Sequence, residues 1–480
     1  MNILNKKPLL LTGLLLVLTA FCASPQNQDL GITVHLRGVY ECKISLLPLT
    51  GPKALKPILE VAGVKNGKTA RLVVPAEYLP GQFVLRFDYK EKQESTPYPS
   101  EKNILMSKQN LELWSNPKYA NNPDSTWFQK GEKENSAFAL FSEENSRKMK
   151  NLGVLQAFLL NYDQPESNFY NQGIGEYEIR RRDYNQWLNT QTIRDSALFA
   201  SNIYRFSKVP EISWKGSERD RERSLISHYF DEMDFSNPNL IRTSQLTEWM
   251  DTYVNLNMKS AISVVLRDSI ISGVARSAIE KSKTGSSIVY GWMVDYFYKG
   301  FEANNIPAGM KVLEPYLNDP LCLTSKRQEI GRRLKGMESL IPGIKAPDIQ
   351  LNDATGRKFD LKSWNPPTQY ILLFFWSADC SHCIETVADL YPWQQQAANK
   401  QRISVAAVGL NDSEPIVKIW DQKIKDLPGW LHVNAIGGVQ SKVANDYYIL
   451  ATPVMVLLDS KTKEIISMPV SVRELQSIVK

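Results

Sequence analysis

Three observations predict a multidomain chain, with an antiparallel β-sandwich towards the N-terminus, an all-α domain in the centre and an α/β domain at the C-terminal end. Segments between residues 33 and 87 alternate apolar and polar side chains and are separated by turn residues. Between residues 144 and 303 the apolar positions recur at helical spacing, and after residue 370 strand and helix patterns alternate. A length of 480 residues, 43% hydrophobic and 22% charged, supports about three separate cores. The expected boundaries are 1–22 for a signal peptide, 28–125 for the sandwich, 130–335 for the helical domain and 341–480 for the α/β domain.

The first residues carry an address. Lys6 and Lys7 precede an apolar stretch from Pro8 to Phe21 that is too short to cross a bilayer, and small and polar residues follow. This is the pattern of a secretory signal and places the chain in the periplasm or cell envelope. Cys22 opens a second option, a lipid anchor, although the bulky Phe21 stands where a lipoprotein signal carries a small residue. Loss of Lys6 and Lys7 lowers the formal charge from +6 to +4, since 57 basic residues less two stand against 51 acidic ones. That balance calls for no nucleic-acid partner.

In the sandwich region the strands read as Thr33-Val34-His35-Leu36, Cys42 to Leu46, Ala70 to Val74 and Phe83 to Phe87, with turns at Lys65-Asn66-Gly67 and Leu79-Pro80-Gly81. The polar, proline-containing stretch from Tyr89 to Asn103 reads as a long exposed connection. Helical periodicity then covers Glu144 to Asn161, Arg180 to Phe206, Ser217 to Met233, Leu246 to Leu256, Lys259 to Lys283 and Ser286 to Ala303. His228, Asp231 and Asp234 could meet at a metal, but such a cluster more often ends a helix and caps the next turn, and no metal site is expected. Tyr290, Trp292, Tyr296 and Phe297 read as helix core.

The chemistry is concentrated in Trp376-Ser377-Ala378-Asp379-Cys380-Ser381-His382-Cys383, which follows the apolar run Tyr370 to Phe375 and opens a helix. Unpaired N–H groups and the positive end of a helix dipole favour a thiolate at Cys380. One turn on, Cys383 can attack a mixed disulfide formed at Cys380 and release it. Cys380 is therefore the expected nucleophile and Cys383 the resolving thiol. A protonated His382 adds charge that stabilises the reduced pair, while Asp379 acts in the opposite sense. Cys22, Cys42 and Cys322 are solitary, so the spacing does not match a zinc site, and a loop this tight adds little stability as a purely structural disulfide.

After Cys383 come a helix from Ile384 to about Asn399, a strand Ile403 to Val408 and a helix Ser413 to Lys425. Thr452-Pro453 then leads into Val454 to Asp459, Lys463 to Ile466 and a last helix from Val472. The opening Gly343 to Leu351 carries a hairpin turn at Asp353-Ala354-Thr355-Gly356. This order, with W-x-x-x-C-x-x-C and T-P, resembles the thioredoxin fold. Within it, the segment 341–480 resembles the exported thioredoxin-like thiol:disulfide oxidoreductases of cytochrome-maturation type, in the multidomain form found in Bacteroidota. The resemblance implies a cis Thr452-Pro453 bond lying against the cysteine pair, with Trp376, Thr452 and Pro453 as substrate-contacting residues. It implies no cofactor. Two positions depart from the pattern. Phe374 stands where thioredoxins carry a buried acid, and Thr386 stands where exported relatives carry a glutamate, with Glu385 displaced by about 100° on the helix.

The partners that follow are protein thiols and disulfides, with a membrane electron donor and a homodimer left open. Two other readings remain. One is an envelope recognition protein that uses the fold as a binding platform. The other is a thiol peroxidase, against which Leu373 and Ser377 stand in place of the proline and threonine of P-x-x-x-T-x-x-C. Reductase and oxidase directions are both open.

Overall fold

The computed structural model describes residues 30–479 apart from Glu232, Ile262 and Asn305. The expected signal peptide, and Cys22 as the alternative site of a lipid anchor, lie outside the described residues. Among the described residues no helix is long and apolar enough to cross a membrane. The chain divides into two compact units, one reaching to Val209 and including Arg242–Leu246, the other comprising Pro210–Ile241 and the residues from Thr247 onward.

The first unit holds a two-sheet sandwich built from β1 (Leu30–Leu36), β2 (Glu41–Pro48), β3 (Leu59–Lys65), β4 (Thr69–Val74), β5 (Gly81–Lys90), β6 (Tyr98–Met106), β7 (Leu111–Ser115) and β8 (Thr126–Phe128). One sheet has the order β3-β2-β5-β6 and is antiparallel throughout; the other has the order β4-β1-β7-β8 and contains one parallel pair, β1 with β7. Alternation drives one side of each strand inward, so Ile32, Val34, Ile44, Leu46, Phe83, Leu85 and Phe87 share one core. The connection expected from Tyr89 to Asn103 is mostly strand. Tyr98 faces Tyr89 across a hairpin, and Pro99 is tolerated because β6 is an edge strand that need not donate outward.

Helix α1 (Glu134–Asn161) begins ten residues before the periodicity suggests and packs on α2 (Asn168–Arg194) and the short α3 (Ser201–Tyr204). The buried Asn135 exchanges hydrogen bonds with the backbone of Leu105, 2.8 and 3.0 Å, which fixes the start of α1 on β6. Phe141 stacks on Tyr204 at 3.7 Å inside this cluster.

The helices that follow are α4 (Glu218–Ser227), α5 (Ser244–Met258), α6 (Val264–Lys283), α7 (Ser287–Ala303), α8 (Pro307–Leu317) and α9 (Arg327–Ser339). His228 ends α4 and its Nδ1 lies 2.7 Å from Asp231, while Asp234 accepts from the Ser236 amide at 3.0 Å, an arrangement of helix end and turn. Val289, Tyr290, Met293 and Phe297 are buried on one face of α7, whereas Trp292 and Tyr296 stack on each other at 5.4 Å.

The C-terminal domain opens with the hairpin β9 (Gln350–Asn352) and β10 (Lys358–Asp360), turned at Gly356 with a φ of 84° that suits glycine. A five-stranded sheet follows in the order β13-β12-β11-β14-β15, from β11 (Tyr370–Trp376), β12 (Ile403–Asn411), β13 (Leu431–Ile436), β14 (Val454–Asp459) and β15 (Ile465–Ser467). The strands β11, β12 and β13 run parallel, and β14 is antiparallel to β11. Helices α10 (Ser381–Gln394), α11 (Ala397–Lys400), α12 (Glu414–Lys423), α13 (Lys442–Asp446) and α14 (Val472–Ile478) complete the domain. Covered on both faces, β11 reads as a continuous apolar run. Ile371, Leu373 and Phe375 face one core, and Leu372, Phe374 and Trp376 face the other.

Candidate active site

The site is built where β11 stops. The strand ends at Trp376, the chain turns through Ser377, Ala378 and Asp379, and Cys380 takes the N-cap of α10 with an extended backbone, φ −83° and ψ 111°. At that position a side chain meets the unpaired amides of the first turn, and here the acceptor is sulfur: the Cys383 N–H donates to Cys380 Sγ at 3.1 Å. Cys380 and Cys383 are joined by a disulfide, their Cα atoms 5.2 Å apart.

The two sulfurs differ in access. Cys380 is half-buried, whereas Cys383 is 0% exposed and packs into a cluster with Leu372, Phe374, Trp376 and Leu390. Phe374, at the strand position of the missing acid, is fully buried within that same cluster. The Thr452–Pro453 bond is cis, and the Thr452 carbonyl oxygen lies 3.5 Å from Cys380 Sγ. Thr452 and Pro453 are half-buried, beside an exposed Ala451.

His382 projects into solvent and its Nδ1 lies 3.0 Å from the Glu385 carboxylate, one turn along the same face of α10. The displaced glutamate is thus the histidine's partner, and its negative charge offsets that of a protonated imidazole. Asp379 accepts from the Ser377 hydroxyl. Trp376 requires a correction. At 1% exposure, stacked on Phe374 with ring centres 6.3 Å apart, it forms the floor beneath the cysteine pair and offers no side-chain surface to a substrate. An apolar strand covered on both faces buries its last side chain as it does the five before it.

One polar residue at the site escaped the sequence reading. Asn411, 0% exposed at the end of β12, sits 3.5 Å from the Ala378 amide and donates to the Asn434 side chain at 2.9 Å. The available signal was an asparagine closing an otherwise apolar strand. Cys42 and Cys322 are free, buried thiols. Burial, with the Asp88 charge nearby, pushes the Cys42 thiol up to about 12, and burial raises Cys322 as well.

Residues 342–466 match the model of the AhpC/TSA family. Together with the strand order, the capping cysteine and the cis-proline loop, this match decides the assignment. The C-terminal domain has a thioredoxin-like fold and matches the AhpC/TSA family.

Among solved structures, this thioredoxin-like chain is similar to a thioredoxin-like protein from Bacteroides caccae, at 19% identity over 56% of this chain and 96% of that one, with a TM-score of 0.38. It is also similar to the C-terminal domain of a thiol-disulfide oxidoreductase from Bacteroides thetaiotaomicron, at 24% identity over 29% and 95% of the two chains, TM-score 0.27. A domain of a possible thiol-disulfide isomerase from Cytophaga hutchinsonii matches at 30% identity over 29% and 90%, TM-score 0.25. No curated protein matches.

Proposed function

We propose that this protein is an exported thiol:disulfide oxidoreductase of the periplasm or cell envelope, exchanging its Cys380–Cys383 pair with protein substrates. The supporting observation is the asymmetry of the pair: Cys380 meets solvent and an amide of the first helical turn, and Cys383 is sealed behind it.

The steps follow from that asymmetry. In the oxidising direction, a substrate thiolate attacks Cys380 Sγ, the Cys380–Cys383 bond breaks, and Cys383 leaves as a thiolate that takes up a proton. A second substrate thiolate then attacks the substrate sulfur of the mixed disulfide and Cys380 departs as a thiolate. Two electrons pass from the substrate dithiol to the pair. The reducing direction is the reverse: the Cys380 thiolate attacks a substrate disulfide, and Cys383 resolves it. In both, the Thr452 backbone beside Cys380 offers hydrogen bonds to an extended substrate segment. His382 and its Glu385 partner set part of the charge around the thiolate.

Turnover of a disulfide-bonded protein with dithiothreitol as electron source tests this reading. Wild type accelerates the reduction and Cys380→Ala does not. Retained function of Cys380→Ala in the cell would instead favour a recognition platform. Consumption of hydrogen peroxide at a rate matching disulfide exchange would favour a peroxidase, which Leu373, buried in the core at the position of the peroxidase proline, argues against.

A further inference from the structure

Helix α9 reaches back to the loop that carries Thr452. The guanidinium Nη2 of Arg332 donates to the Ile449 carbonyl at 2.9 Å, across 117 residues of sequence and three residues before Thr452. Ile449 is 2% exposed, so this carbonyl is satisfied by a charged donor in a mostly dry environment, where its loss is costly.

A second contact lies one turn along α9. A Cβ built on Gly336 would come 2.9 Å from Cβ of Tyr448, so helix and loop approach at a distance that a larger residue at position 336 would disturb. Tyr448 itself adopts a left-handed backbone, φ 50°, unusual for a residue with a large side chain. Its neighbours are held on both sides: the Ile449 amide donates to the Ala444 carbonyl at 2.8 Å, and the Tyr447 hydroxyl donates to the Pro347 carbonyl at 2.5 Å. On α9, the adjacent Arg333 forms an ion pair with Glu302 of α7 at 2.8 Å. The helix is therefore fixed to α7 by one arginine and to the loop by the next.

We infer that Arg332 is a positioning residue, through which α9 holds the 447–452 segment so that the Thr452 backbone stands at Cys380 to receive a substrate strand. This rests on the exchange reaction proposed above and assigns part of the helical region a task in it. The amide that holds Cys380 Sγ belongs to α10, at 3.1 Å, and the Thr452 carbonyl stands farther off at 3.5 Å, so Arg332 acts chiefly on the docking of an extended substrate and little on the reactivity of Cys380 itself.

The experiment compares two substrates of the full chain, disulfide-bonded insulin and hydroxyethyl disulfide, with dithiothreitol as electron source, in wild type, Arg332→Ala, Arg332→Gln and Gly336→Ala. Arg332→Ala raises KM for insulin about tenfold, the loss expected from one charge-assisted hydrogen bond. Its kcat/KM for hydroxyethyl disulfide and its reduction potential stay at wild-type values. Gly336→Ala shows the same split, and Arg332→Gln, which keeps a donor, recovers part of the insulin KM. The inference is overturned if insulin KM is unchanged in Arg332→Ala and Arg332→Gln, or if both substrates lose equally. A wild-type protein that turns over neither substrate would sink the proposed reaction itself, a separate outcome.

Discussion

The Cys383 amide donates to Cys380 Sγ at 3.1 Å, so the sulfur that meets solvent is also the sulfur held by the first turn of α10. Accessibility and thiolate stabilisation fall on one atom, and the buried sulfur of Cys383 is left to resolve. From this relationship a defined order of reactivity follows.

After gentle reduction, iodoacetamide modifies Cys380 first, Cys383 more slowly, and Cys42 and Cys322 only once the chain unfolds. Thiols react as thiolates, and a Cys42 pushed up to about 12 stays protonated throughout the neutral range. Peptide mass spectrometry over a time course at pH 8 reads the order. Early labelling of Cys42 or Cys322 would contradict it.

The His382 and Glu385 pair predicts opposite shifts from two substitutions. Removing the imidazole in His382→Leu takes away the positive charge that the ring carries when protonated beside the Cys380 thiolate and makes the disulfide a weaker oxidant. Glu385→Gln leaves the imidazole unopposed and makes it a stronger one. Both side chains are exposed and screened, so each shift is small, on the order of 10 mV. Equilibration with glutathione buffers measures them, and shifts of the same sign would refute the pairing argument.

Introducing an acid at Phe374 does not rebuild a proton acceptor. The side chain is fully buried against Trp376 and Trp430, and a carboxyl group there replaces aromatic packing without gaining a partner. Phe374→Asp lowers the unfolding free energy of the C-terminal domain by about 3 kcal/mol or more in urea titrations.

Asp353 gives the hairpin turn an acid-sensitive element. The Thr355 hydroxyl first, then the amides of Arg357 and Thr355 and the Arg357 charge, lower its carboxyl to about 2. A depressed carboxylate contributes stability that is complete above its ordinary value near 4 and is lost as the pH falls towards about 2. Asp353→Asn removes this contribution, so the stability gap between wild type and variant narrows across that interval. Acid titration followed by circular dichroism reads the gap, which a constant offset would contradict.

The legible parts of the fold were those with strong local signals. W-x-x-x-C-x-x-C, T-P and the run Tyr370 to Phe375 place the cysteine pair, the cis-proline loop and the central strand correctly, because each is written within a few adjacent residues. The edge strand β13 was missed although Leu431, Val433 and Ala435 alternate, since His432 and Asn434 dilute a short pattern. The start of β6 reads as a loop because its proline and charges are edge-strand features that sequence cannot separate from a connection. Neither the burial of Trp376 nor the contact from Arg332 to Ile449 could be read locally, as both depend on which segments meet in space.

The most direct measurement is mass-spectrometric identification of the cysteine that carries a trapped substrate in Cys383→Ala. With the resolving thiol removed, a substrate disulfide attacked by this protein stays attached as a mixed disulfide, and the account places it on Cys380. Absence of any adduct, or an adduct confined to Cys42 or Cys322, would contradict the assignment of Cys380 as the attacking sulfur.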